Sequence, residues 1–197
     1  MSKERLHRRD LMREQLAHHA ARLMAEDGIT DYAFAKRKAA KQMGATDTHH
    51  LPSNQQVDEA LRSFRSLYQS ASHPIILRQL RERALTAMHL LAPFHPYLTG
   101  SVLNGTAGEQ SDINLSVYSD DEKAVLMFLL KRNLPFESGE WRIHLAGRQQ
   151  TLPSFTLETE PGVPVHIIVL PNSALNSGNR KPETHADIAA VEELLAS

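Results

Sequence analysis

The chain has 197 residues, 41% of them hydrophobic and 23% charged, with a formal net charge of −1 and no cysteine. That length holds one large domain or two small ones with a real core, and the missing cysteines exclude disulfides, thiolate metal sites and thiol nucleophiles. No apolar run approaches the roughly 18 residues that span a bilayer. The basic start, Met1 to Asp10, leads into no apolar signal core, so a cytoplasmic location without membrane partners is expected.

The near-neutral balance hides a split. Residues 1–95 carry 15 Lys/Arg against 10 Asp/Glu, or +5, while residues 96–197 carry 7 against 13, or −6. A basic half facing a polyanion produces such a split, and so do two opposite halves resting on each other.

The first half reads as helical. Leu11, Leu16, Ala20, Leu23 and Met24 recur at helical spacing between Asp10 and Glu26, and Gly28 closes that helix. Thr30 or Asp31 caps a second helix through Met43, closed by Gly44, and a polar loop follows over residues 45–53. Ser53 is placed to cap a third helix that carries Val57, Ala60, Leu61, Phe64, Leu67 and Tyr68 on one face. Pro74 suits the first turn of a fourth helix running to Leu91, which Pro93 and Pro96 end.

The period then changes. Apolar or alternating runs at 97–99, 112–118, 141–145, 154–159 and 163–170 read as strands separated by turn residues. One helix interrupts them, with Asp120, Asp121 and Glu122 at its N-terminal dipole and Ala124 to Leu130 as its body. A surface loop over 172–182 and a last helix over Glu183–Leu195 complete the chain. The expected fold class is α+β: a helical N-terminal module over 1–92, then a mixed β-sheet core flanked by helices over 93–197.

The most informative stretch is Leu98-Thr99-Gly100-Ser101 followed by Ser111-Asp112-Ile113-Asn114-Leu115. It reads as a strand, a Gly-Ser turn, a loop of small residues and a second strand. Alternation turns Asp112 and Asn114 to one side of that strand and Ile113 and Leu115 to the other. Gly100 lets the backbone approach a phosphate closely, and Ser101 adds a hydroxyl donor. A carboxylate pair at i and i+2 holds Mg²⁺ through hard oxygens while the metal bridges phosphates. Here the second member is an asparagine.

With these residues the chain resembles the nucleotidyltransferase superfamily, whose fold is shared with DNA polymerase beta. The superfamily pattern is an apolar residue, Gly, Ser or Gly, about ten residues, then Asp-apolar-Asp, with a third Asp on a later strand. Thr99-Gly100-Ser101 and Asp112-Ile113-Asn114 fill the first two parts, and His166, within Val163–Leu170, falls at the third. The resemblance covers roughly residues 75–170. The whole chain is also similar to a bacterial group of predicted nucleotidyltransferases with a helical N-terminal region, on Ala35-Lys36-Arg37-Lys38-Ala39-Ala40 and Leu51-Pro52-Ser53-Asn54.

The resemblance implies that Gly100 and Ser101 hold a nucleoside triphosphate and that Asp112 is a metal ligand. Asn114 and His166 depart from the pattern at the remaining catalytic positions. Asparagine supplies a neutral oxygen, and histidine nitrogen suits Mn²⁺ or Zn²⁺ better than Mg²⁺. Any Mg²⁺ or Mn²⁺ is therefore expected to be weakly held, with several kcal/mol of transition-state stabilisation lost. The expected function is a nucleotide-binding regulatory or interaction module with a degenerate metal site. The first alternative is an active enzyme moving a nucleoside monophosphate from a triphosphate to a hydroxyl acceptor.

A second alternative is a nucleic-acid-binding adaptor using Lys36, Arg37, Lys38 and Lys41, although a solvated helix face is the plainer reading of those cations. Little aromatic interleaving accompanies them beyond Tyr32 and Phe34. A mixed site of Asp112, His166 and His144 is a further arrangement the strands allow, with a hydrogen-bonding His166 the plainer one. The pairs His18-His19 and His49-His50 read as surface, Asn104-Gly105-Thr106 as a turn, and Trp141 as a packing anchor on its strand.

Overall fold

The computed structural model describes residues 2–45, 51–121, 123–145, 148–159, 162–175 and 184–196. His49-His50, Glu122 and most of the 172–182 loop lie outside the described residues. The chain forms two compact units: Met1–Ile76 with Gly108–Ser111, and Leu77–Ala107 with Asp112–Ser197. No described helix is long and apolar enough to cross a membrane.

The first unit is built on α1 (Ser2–Glu26), α2 (Tyr32–Gln42) and α3 (Asn54–Tyr68). Asp31 caps α2 by accepting from the Phe34 N–H, and Ser53 and Gln56 form a reciprocal capping box at α3. Leu16, Ala20, Leu23, Ala35, Ala39, Val57 and Leu61 meet in one buried cluster. So many alanines let the three helices approach closely, and Tyr32 on α2 donates to the Asp58 carboxylate on α3. Leu67 and Tyr68 depart from the expected buried face, at 73% and 74% exposed. They lie in the last turn of α3 and border an open groove with Gln15 and His18 of α1.

Four residues of the long loop belong to this unit. The buried Arg65 guanidinium lies against Gly108, where a β-carbon would stand 2.7 Å from Nη2. The Gln110 side chain packs on Gly28, and the Ser111 hydroxyl accepts from the Gly108 N–H at 2.9 Å. Burial lowers the pKa of Arg65, an effect partly countered by Tyr32.

The second unit takes in most of α4 (His73–Leu90), then β1 (Tyr97–Thr99), α5 (Gly100–Asn104), β2 (Ile113–Tyr118), α6 (Ala124–Lys131), β3 (Phe136–Leu145), β4 (Arg148–Thr159), β5 (Val163–Leu170), α7 (Asn172–Leu175) and α8 (Ile188–Ala196). The sheet order is β1-β2-β5-β4-β3, with β2 and β5 parallel and every other pairing antiparallel. The α+β class, helices before a mixed sheet, is what the sequence led us to expect.

Several boundaries differ for local reasons. The strands expected at 141–145 and 154–159 are parts of longer strands paired over their whole length. The outer one, β3, is exposed from Glu137 to Arg142, so it lacks the apolar alternation that marks a half-buried strand. Trp141 is 53% exposed there rather than a buried anchor. Asn172–Leu175 is helical rather than loop, and Asp120 accepts from both the backbone and side-chain nitrogens of Asn172. The last helix starts at Ile188 because Ala186 bridges Leu98 of β1, and Asp187 caps the helix by accepting from Ala190 N–H.

The two sides of the sheet differ. Ile113, Leu115, Val117, Val165, Ile167 and Val169 alternate onto one buried side. The other side grades from polar to apolar. Thr99, Asn114, His166 and Thr156 form a row at its β1–β2 end, continued on β3 by Glu137, and Tyr97, Ser116, Ile168 and Ser154 the next. Beyond them Tyr118, Leu170, Leu152 and Ala174 close a small core. The end row holds the candidate site.

Candidate functional site

Gly100 and Ser101 open the five-residue helix α5 rather than a simple turn. Gly100 adopts φ +73°, a left-handed conformation that disfavours any side chain. A β-carbon there would also stand 3.2 Å from the Asn114 amide nitrogen, so that side chain packs directly on the glycine. At the other end of α5, the Ser101 carbonyl accepts from the N–H groups of Gly105, Thr106 and Ala107. Arg81 of α4 donates to the carbonyls of Val102 and Leu103, both at 3.2 Å. Burial lowers its pKa. The helix is thus gripped at its C-terminal carbonyls while its Gly-Ser start stands at the sheet end.

Sheet register brings the carried-over positions together. Asn114 pairs with His166 across β2 and β5, and His166 pairs with Thr156 across β5 and β4. Thr99 Oγ1 donates to the Asn114 carbonyl at 3.2 Å. Asp112 lies one residue before β2, and its Oδ2 is 3.3 Å from His166 Nε2. The other ring nitrogen, Nδ1, is 2.9 Å from Thr156 Oγ1. Asp112 and His166 are each more than a third exposed, at 37% and 39%, so a ligand has access to the pair.

The donor set does not fit Mg²⁺. That ion requires hard oxygens in near-octahedral geometry, whereas Asp112, Asn114 and His166 offer one carboxylate, one amide and one imidazole. The imidazole edge also engages one of the two oxygens of that carboxylate. Among the described residues, no group of three or more His, Cys, Asp or Glu side chains could hold a metal ion.

Thr156 belongs to the site although nothing in its local sequence marks it. Its signal is the β4–β5 register, which sequence alone does not provide. His144 falls elsewhere along the sheet: Thr156 faces Glu137 on β3, and His144 is seven residues further along that strand. The backbone thus separates it from His166, and the mixed three-residue site does not form. Asn104-Gly105-Thr106 is a turn, in which Asn104 Oδ1 accepts from both the backbone and hydroxyl of Thr106.

The basic run lies on α2 of the helical unit. Lys36 Nζ donates to the Pro52 carbonyl at 3.1 Å and to Asn54 Oδ1 at 2.8 Å, joining α2 to the start of α3. Lys38 pairs with Asp27 at 2.8 Å. Arg37 and Lys41 are exposed. Two of the four cations therefore serve the unit's own packing. His18 is exposed, and His19 Nε2 is 2.6 Å from Gln42 Oε1.

No family model matches the chain, and no curated protein matches it. Among solved structures it is similar to Cid1, described by its RNA terminal uridylyl transferase activity, at 20% identity. That likeness covers 50% of this chain and 31% of the other, with a TM-score of 0.33. It is also similar to the GLD-2/RNP-8 complex at 19% identity, over 49% of this chain and 42% of that one, with a TM-score of 0.31. The chain matches less than half the length of either solved chain.

Proposed function

We propose that this chain is a nucleotidyltransferase-fold protein that binds a nucleoside triphosphate at the Gly100–Ser101 end of its sheet without catalysing Mg²⁺-dependent transfer, and so serves as a nucleotide-responsive regulatory or interaction module. The observation that carries the reading is the end row itself. Where the superfamily pattern calls for carboxylates, Asp112 is joined by Asn114 and His166, and His166 holds Asp112 by a hydrogen bond. The bare α-carbon of Gly100 and the Ser101 hydroxyl still suit a phosphate. What is missing is the negative charge that gathers metal ions for transfer.

Calorimetric titration with the four ribonucleoside triphosphates, in chelator and in Mg²⁺, tests the binding. The expected result is saturable binding to at least one of them that Mg²⁺ does not strengthen. An assay for incorporation of labelled nucleotide into the protein, RNA or small hydroxyl acceptors should stay at background. Incorporation that Asp112→Ala abolishes would establish the active-enzyme reading instead, with Mn²⁺ the metal to try first. Absence of binding to every triphosphate would remove the nucleotide from the proposal.

A further inference from the structure

We infer that His166, oriented by Thr156, places an imidazole N–H on Asp112 where the superfamily pattern would place a metal ion, so that a hydrogen-bond lock keeps divalent cations off this carboxylate. The inference rests on the reading of this cleft as a nucleotide site and adds what would keep a metal from it.

The ring has a nitrogen on each side and a different partner at each. Nε2 faces Asp112 Oδ2 at 3.3 Å, and Nδ1 faces Thr156 Oγ1 at 2.9 Å. A carboxylate only accepts hydrogen bonds, so the nitrogen facing it carries the hydrogen. In neutral imidazole the other nitrogen is then an acceptor, and Thr156 donates its hydroxyl hydrogen to it. A hydroxyl serves in either role, but the carboxylate does not, and this sets the direction of the whole relay: Thr156 O–H to Nδ1, Nε2–H to Asp112. Partners of a histidine's second nitrogen fix its tautomer and ring plane in metal sites. The same device here acts in reverse. A metal on Asp112 and His166 requires the Nε2 lone pair, which this tautomer lacks.

The backbone supports the geometry independently. His166 and Thr156 are direct cross-strand partners, and Asn114 is the partner of His166 on its other side. The imidazole is therefore placed by regular sheet pairing, between the threonine that orients it and the strand that follows Asp112.

Ring ¹⁵N spectra of the full chain, with the His166 signals identified by their loss in His166→Gln, read the lock directly. The expected spectrum shows Nε2 protonated and Nδ1 accepting, unchanged by Mn²⁺. Thr156→Val removes the hydroxyl at nearly constant shape. It should release the ring, averaging its nitrogen signals. Thr156→Ser should restore the fixed ring. His166→Asp, which puts a carboxylate opposite Asp112, should raise Mg²⁺ and Mn²⁺ affinity by about tenfold or more, the latter measured by electron paramagnetic resonance. A protonated Nδ1 in the wild type overturns the inference, as does a His166→Asp variant whose metal affinities equal those of the wild type. Triphosphate binding in chelator is scored separately: its absence undoes the reading of the cleft and leaves the ring-nitrogen result standing.

Discussion

Gly100 carries two constraints, a φ of +73° and an asparagine amide 3.2 Å from where a β-carbon would be. Neither relaxes when the other is met, because rotating the backbone moves the start of α5 and yielding to the clash displaces Asn114. Gly100→Ala should cost about 1–3 kcal/mol in urea unfolding and weaken triphosphate binding in the same protein. Binding retained at full strength would show that α5 does not hold the phosphates. At this scale the sequence was informative where chemistry is local. Gly100, Ser101, Asp112 and Asn114 are singled out by residue type and spacing and His166 by the superfamily resemblance, and the strands pair Asn114 with His166 and bring Asp112 within 3.3 Å of that ring. Thr156 was out of reach because its role depends on which residue of β4 stands opposite His166, and strand register lies in pairing rather than in spacing. Leu67, Tyr68 and Trp141 were misread for a related reason: an apolar type at the right period does not reveal whether a neighbour covers it.

At the scale of elements, α5 has only five residues and cannot sustain itself, since the cost of nucleating a helix exceeds what one turn returns. Its stability comes from the burial of Val102 and Leu103, from the two Arg81 bonds to their carbonyls and from the chain reversal at Gly105. Arg81→Met keeps much of the side-chain bulk and removes those donors. It should destabilise the protein by about 2 kcal/mol in urea unfolding and lower triphosphate affinity, whereas unchanged affinity would mean that α5 is held by other means. The sequence showed α3 well, down to its Ser53 cap, because cap and apolar period are both written locally. It showed β3 poorly, because a strand exposed on its outer face has no apolar alternation to display. The start of α8 was misplaced through a single long-range bridge, Leu98 to Ala186, which extends the chain just before the helix.

At the scale of the whole molecule, the loop between the two halves of the motif is divided. Ala107 and Asp112 belong to the sheet unit, while the four residues between them belong to the helical one. Arg65 fixes that excursion by lying on Gly108. Arg65→Ala should leave the segment without its buried neighbour, costing about 1–3 kcal/mol and raising amide exchange over 108–111 measured by mass spectrometry. Exchange confined to its wild-type rate would show that the loop is ordered without the arginine. Nothing in residues 108–111 announces this membership: a Gly-Glu-Gln-Ser run reads as an exposed connection, and its partners Arg65 and Gly28 are far away in sequence.

That excursion also bears on how such a chain is inherited. The backbone passes from one unit to the other after residues 76, 107 and 111, so no single cut divides the gene into two self-sufficient parts. Grafting the first 76 residues onto another sheet would leave behind the four that complete them. A graft of the helical half therefore has to carry a substitute for residues 108–111, and changes at Arg65 and Gly108 have to be accommodated jointly.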